Sequence, residues 1–281
     1  LAPLTDRITY LEEGDRAIVS RTSLQVQDMN GTIANREMRT VNIDNARVDK
    51  AGFKHFMAKE IAEQPMVLGE AVNAYMPAGE IDVSLPGPDI DFTKAERLTM
   101  VACGTAFYAC LVAKYWFEQI ARMPVEVDIA SEFRYREPPM SDDTLALFVS
   151  QSGETADTLA ALRYCAGKAQ KILSVVNVPE SSIARESDVA LPILAGPEIG
   201  VASTKAFTCQ LTVLLMLALK AARQRGHIND EQMENHAAAM RGLPAAINHA
   251  LDQNEALRLA ALQLSEARDV LFLGRGLMYP L

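Results

Sequence analysis

Leu145-Ala146-Leu147-Phe148-Val149-Ser150-Gln151-Ser152-Gly153-Glu154-Thr155 is the stretch on which the fold turns. Five apolar residues in a row, bounded by polar ones, predict a short strand covered on both faces. A loop of small polar residues follows, and residues 154–166 then carry a helical pattern. The same order occurs upstream, where residues 98–102 run through Cys103-Gly104-Thr105 into a helix over 105–121. Further strands are predicted at 125–129, 172–176 and 189–193, and a long helix at 204–224. Alternating strands and helices predict an α/β fold, a parallel sheet flanked by helices on both faces, with its ligand site beyond the strand C-termini.

The flanks read differently. Residues 7–11, 16–19, 24–27 and 38–43 are short β-type runs separated by turn residues. Asn30-Gly31 signals a hairpin, because both residues take positive φ. So little sheet does not stand alone, and the segment reads as the end of a domain that starts earlier. Phe53, Phe56, Met57 and Ile61 then fall on one helical face, with Pro65 expected to close that helix. A second helix is expected from Val67 to its stop at Pro77. After Gly226, helices are predicted at 230–241, 244–251 and 255–266, and a fresh strand at 270–273 opens into Gly274-Arg275-Gly276. That strand has no following helix, and the chain is expected to continue into a further domain.

Composition narrows the function. With 49% apolar and 22% charged residues the chain is an ordinary globular one. A net charge of −9 provides no basic face for a phosphate backbone, so nucleic acid is not an expected partner. Cys103, Cys110, Cys165 and Cys209 lie in apolar runs without C-x-x-C spacing, which argues against zinc and against a disulfide framework. They are read as reduced, in the cytoplasm. Residues 206–222 are apolar but interrupted by Thr208, Gln210, Thr212 and Lys220, which fits a buried helix and not a membrane span. No cofactor is expected.

The chemistry concentrates in three loops. Ser150-Gln151-Ser152-Gly153-Glu154-Thr155 stands where a strand gives way to a helix, so unpaired amides and the helix dipole favour an anion there. Its hydroxyls and amide add donors, and Gly153 lets a ligand approach. The loop lacks the lysine of a nucleotide-binding phosphate loop, which points to a reversibly held phosphate monoester. Ser152 as a simple N-cap, with Thr155 solvated, is the alternative that local sequence leaves open. Cys103-Gly104-Thr105 opens the preceding helix, where Thr105 reads alone as a cap and Cys103 as core. Glu198-Ile199-Gly200-Val201-Ala202-Ser203-Thr204-Lys205 precedes the long helix. Three polar loops at one end of a sheet make a pocket. Glu154 and Glu198 are their only carboxylates, Glu154 being placed to favour a helix N-terminus. His55, His227, His236 and His249 lie outside the loops and read as surface or packing residues.

In this order these loops, the helix over 56–65 and Phe272-Leu273-Gly274-Arg275-Gly276 resemble the glutamine:fructose-6-phosphate aminotransferase (glucosamine-6-phosphate synthase) family. The serine loop alone resembles the wider sugar isomerase (SIS) group. The resemblance implies a glutaminase remnant and linker at 1–48, a first SIS domain at 49–240 and the start of a second at 241–281. It implies that Ser150, Gln151, Ser152 and Thr155 hold a sugar phosphate and that Thr105, Val201 and Ser203 contact the sugar. The family often has serine after Cys-Gly-Thr, where this chain has Ala106, a polar contact worth on the order of 1 kcal/mol. Its isomerase acid and base residues would lie beyond Leu281. Fructose 6-phosphate, glucosamine 6-phosphate, glutamine through the missing domain, and a homodimer are the implied partners. A sugar-phosphate-sensing regulatory module and a phosphosugar isomerase or deglycase without glutaminase are the alternatives. The strand-like residues ahead of Phe53 disfavour the first, and the β-type N-terminal segment disfavours the second.

Overall fold

The computed structural model describes residues 5, 7–40 and 49–281. The chain divides into two compact units, Leu1–Ala51 and Gly52–Leu281.

In the first unit, β1 (Arg7–Thr9) pairs antiparallel with β4 (Met38–Thr40), and β2 (Arg16–Val19) pairs antiparallel with β3 (Leu24–Gln27). A turn is present at Asn30-Gly31, but only Gly31 takes positive φ, and β3 and β4 on either side of it pair with other strands. The Gly31 amide donates to the Asp28 carbonyl at 2.9 Å, and Ile33 returns to bridge Gln27. Positions 41–43 of the predicted fourth strand lie outside the described residues, as does a domain boundary at residue 48. Arg36 donates to both carboxylate oxygens of Asp15 at 2.8 and 2.9 Å. Together with the Glu12 amide this holds the Asp15 carboxyl down at about 2.

The second unit is a five-stranded parallel sheet. Its strands are β5 (Arg97–Ala102), β6 (Val125–Ile129), β7 (Thr144–Ser150), β8 (Lys171–Val176) and β9 (Val189–Pro192), in the order β6-β5-β7-β8-β9. Period-two alternation sorts the side chains. Leu98, Met100, Leu145, Leu147, Val149, Leu173 and Val175 join a core with α1 (Phe56–Tyr75), α2 (Gly104–Gln119), α6 (Lys205–Gln224) and α7 (Asp230–Leu251). Val101, Ala146, Phe148, Ile172 and Val176 face α3 (Ala130–Arg136), α4 (Ala156–Cys165) and α5 (Ser182–Glu186) on the other side. The α/β expectation holds, with all five strands within two residues of their predicted bounds. α6 is long and apolar enough to cross a membrane by length and composition, yet 72% of its most apolar stretch is buried, as a core helix requires.

Three expectations are corrected. Pro65 does not end a helix, since α1 runs through it from Phe56 to Tyr75. Proline removes the amide that would bond the carbonyl four residues back, but the Gln64 side-chain amide donates to Ile61 O at 3.1 Å instead. Packing of α1 against α6 and α7 supplies the rest. Likewise α7 runs unbroken through Pro244, where separate helices at 230–241 and 244–251 were expected. Finally, residues 270–273 form no strand. Leu271, Phe272 and Leu273 are exposed, because no neighbouring strand among the described residues pairs with them. α8 (Asn254–Leu264) precedes this stretch and buries none of its residues.

Candidate functional site

The strand order reverses between β5 and β7, whose neighbours on the outer sides are β6 and β8. At such a switch point the loops leaving the two strands diverge to opposite faces and open a crevice beyond their C-termini. There the structure has a cavity of about 310 Å³. Every predicted site residue lines it: Thr105 from α2, Ser150, Gln151, Ser152 and Thr155 from the turn after β7, and Val201 and Ser203 from the loop before α6.

The serine turn is built by its own hydroxyls. Ser150, 3% exposed, accepts the Gly153 amide on Oγ at 3.0 Å and lies 3.0 Å from the Thr155 hydroxyl. Ser152 Oγ accepts the Glu154 amide at 3.2 Å. Gly153 has φ +66, and a Cβ there would stand 1.9 Å from Ser181 Oγ. Thr155 occupies the N-cap position of α4 but its side chain accepts no amide of the first turn. The simple N-cap reading of Ser152 is therefore not what the structure shows, and the first amides of α4 lack a side-chain cap. α2 starts in the same way behind Cys103.

The two loop carboxylates have different posts. Glu154 accepts the Ser182 amide at 2.8 Å and so serves the N-terminus of α5, not that of its own helix as the sequence suggests. Glu198 lines the cavity and caps α6, accepting the amides of Thr204 and Ala206 at 2.9 and 3.1 Å and the Ser203 hydroxyl at 3.1 Å. The dipole of α6 is thereby occupied by a carboxylate, while that of α4 is open. An anion in the cavity is favoured at the α4 end and opposed at the Glu198 end.

Residues distant in sequence hold these walls. Glu60 on α1, 2% exposed, accepts the amides of Ile199 and Gly200 at 2.5 and 3.0 Å. Beside it Glu63 receives Lys205 at 2.7 Å and Lys59 at 3.3 Å. Burial pushes the Glu63 carboxyl up, but the two ammonium groups outweigh it and hold it below the usual range. Asn177, just past β8, donates its amide to Gln151 O and clasps Gly196 O and the Ala195 amide with its side chain. It ties the serine turn to the segment leading into Glu198. Glu60 and Asn177 escape a sequence reading, because neither lies in the three loops that the sequence singles out; a carboxylate set among the apolar positions of α1 is the one local signal for Glu60.

Four free cysteines are present; Cys103 lines the cavity, and the rest are buried. Burial pushes Cys165 and Cys209 up to about 12 and raises Cys110 as well, so these three behave as apolar packing. Among the described residues no cluster of His, Cys, Asp or Glu could hold a metal ion.

Sheet order, switch-point cavity and hydroxyl-lined turn define a SIS domain, and the SIS domain family matches residues 91–220. The glutamine–fructose-6-phosphate aminotransferase (isomerizing) of Zymomonas mobilis is 50% identical over all 281 residues, and that of Brucella abortus 51% identical. The chain spans about half the length of these curated relatives, 46% in each case. Among solved structures, the C-terminal domain of glucosamine-fructose-6-phosphate aminotransferase from Francisella tularensis superposes with a TM-score of 0.79 at 40% identity, over 83% of this chain and 65% of that one. Along its whole length the chain is similar to glutamine–fructose-6-phosphate aminotransferases, and its residues 91–220 carry a SIS domain.

Proposed function

We propose that this cavity binds fructose 6-phosphate for glutamine-dependent synthesis of glucosamine 6-phosphate. The observation that carries the reading is the serine turn: an uncapped helix start faced by hydroxyls, open to a crevice of hexose-phosphate size. Ser152, Thr155, Gln151 and the first amides of α4 take the phosphate, while Ser150 shapes the turn through the Gly153 amide. Neutral donors suit a ligand that must leave again, since their attraction to the dianion is local and unaided by a fixed cation. Thr105, Val201 and Ser203 border the sugar.

Isomerisation of a ketose to an aldose needs a base beside two adjacent carbons and a group serving the ring oxygen. Of the residues lining the cavity, Glu198 is the only titratable carboxylate, and its oxygens are engaged by the start of α6. The cavity therefore binds and orients, with proton transfer supplied by other parts of a longer protein. In this reading residues 1–48 belong to a glutaminase domain and linker, 49–240 to a first SIS domain and 241–281 to the opening of a second. The protein works as a cytoplasmic homodimer that draws nitrogen from glutamine; three buried reduced thiols suit that compartment.

Calorimetry tests the reading. The native chain takes up fructose 6-phosphate and glucosamine 6-phosphate, and Ser152→Ala, which removes one hydrogen bond to a charged group, weakens both by about tenfold or more. Release of glucosamine 6-phosphate by the 281-residue chain alone, or no heat with either ligand, would overturn it.

A further inference from the structure

Gln210 lies on the inward face of α6, 1% exposed, between Ala206 and the buried Val213, Leu214 and Leu217. Gln210 is one of the residues lining the same cavity as the serine turn, and its buried Oε1 has no hydrogen-bond partner. Buried acceptors are nearly always satisfied, and one that is not costs stability for as long as its place is empty. Three other polar side chains around this cavity build its walls: Glu198 caps α6, Ser150 braces its turn and Ser203 donates to Glu198. Gln210 braces nothing. An unmet acceptor on the wall of a polar crevice is a recognition element waiting for a donor.

We propose that Gln210 is a specificity-determining residue of this site, its Oε1 accepting a hydrogen bond from a hydroxyl of the bound sugar. The inference rests on the sugar-phosphate reading above and assigns a contact absent from the three polar loops. The phosphate sits at the α4 turn, so the carboxamide on α6 meets the carbohydrate part of the ligand. It is neutral and adds no repulsion to that of Glu198. A site that offers a buried acceptor discriminates against a ligand without the matching hydroxyl, because the acceptor is then left unmet.

The test is Gln210→Met, close in length and volume and equally suited to a helix, with no acceptor of comparable strength. Fructose 6-phosphate binding weakens by about three- to tenfold, the share of one neutral hydrogen bond. Inorganic phosphate, which needs only the serine turn, binds both chains alike. Tm stays level or rises, since an unmet acceptor has been removed; a side chain kept for structure would lower it. Unchanged fructose 6-phosphate affinity in the variant overturns this inference alone, as does an equal loss for both ligands. A native chain that binds neither overturns the sugar-phosphate reading and this contact together. If the variant does not fold, NMR of the native chain decides. The Gln210 side-chain amide moves with fructose 6-phosphate and not with inorganic phosphate, and an unmoved signal overturns the proposal.

Discussion

Gly153→Ala is the sharpest perturbation of the site. The residue sits at φ +66, where an L side chain costs about 1–2 kcal/mol. The new methyl would also lie 1.9 Å from Ser181 Oγ and 2.4 Å from Ser181 Cβ. Rotating Ser181 does not relieve this, because its Cβ clashes too and its Oγ accepts the Ala184 amide as the cap of α5. Overpacking of this kind costs about 1–3 kcal/mol. Together the destabilisation is about 2–5 kcal/mol, or a fall in Tm of about 5–15 °C for a unit of this size. Because the Gly153 amide bonds Ser150 Oγ and its carbonyl accepts Ile183 N, the shift passes into the turn, and affinity for fructose 6-phosphate falls at least as far as in Ser152→Ala. Ser181→Gly removes the clash at a cost of only a few tenths of a kcal/mol as an N-cap. Built into the same chain, it restores about 1–3 kcal/mol and leaves the left-handed strain. Thermal melts and calorimetry on the four chains of this cycle give both terms. A Gly153→Ala chain that melts with the native one, or a double variant no better than the single, refutes the reasoning.

Two further perturbations probe the supports. Glu60→Gln makes the acceptor shared by the Ile199 and Gly200 amides neutral and turns an NH2 group toward the Gly200 amide, and it lowers stability by about 1–3 kcal/mol while weakening hexose-phosphate binding more than inorganic-phosphate binding, as calorimetry would show. In the first unit, the Asp15 carboxyl lies at about 2 when folded against ~3.9 in an unfolded chain, so its stabilisation is complete above pH ~4 and is lost as pH falls toward 2. Amide resonances of residues 7–40 followed between pH 5 and 2 report this loss, and Arg36→Ala reduces the slope to the part that the Glu12 amide supplies.

The sequence alone determined the five strands of the sheet, its parallel covered character and the three loops that converge beyond it. Each depends on local order: an apolar run, a small polar turn, then a helical period within some 20 residues. The hydroxyls of the serine turn were legible for the same reason, since Ser150, Gly153 and Thr155 bond one another across five positions or fewer. Only the tertiary structure decided what long-range contacts control. Pro65 and Pro244 look like helix ends in sequence, yet α1 and α7 pack along one core and override them. The apolar run at 270–273 looks like a strand, but a strand needs a neighbour, and none pairs with it among the described residues. Glu60 reaches Ile199 across 139 positions, and Gln210 shows in sequence only as an interruption of an apolar helix. Periodicity records which face of an element is apolar. It carries nothing about which distant amide a buried carboxylate meets, or which buried carboxamide is left facing a cavity, because those depend on how the helices cross.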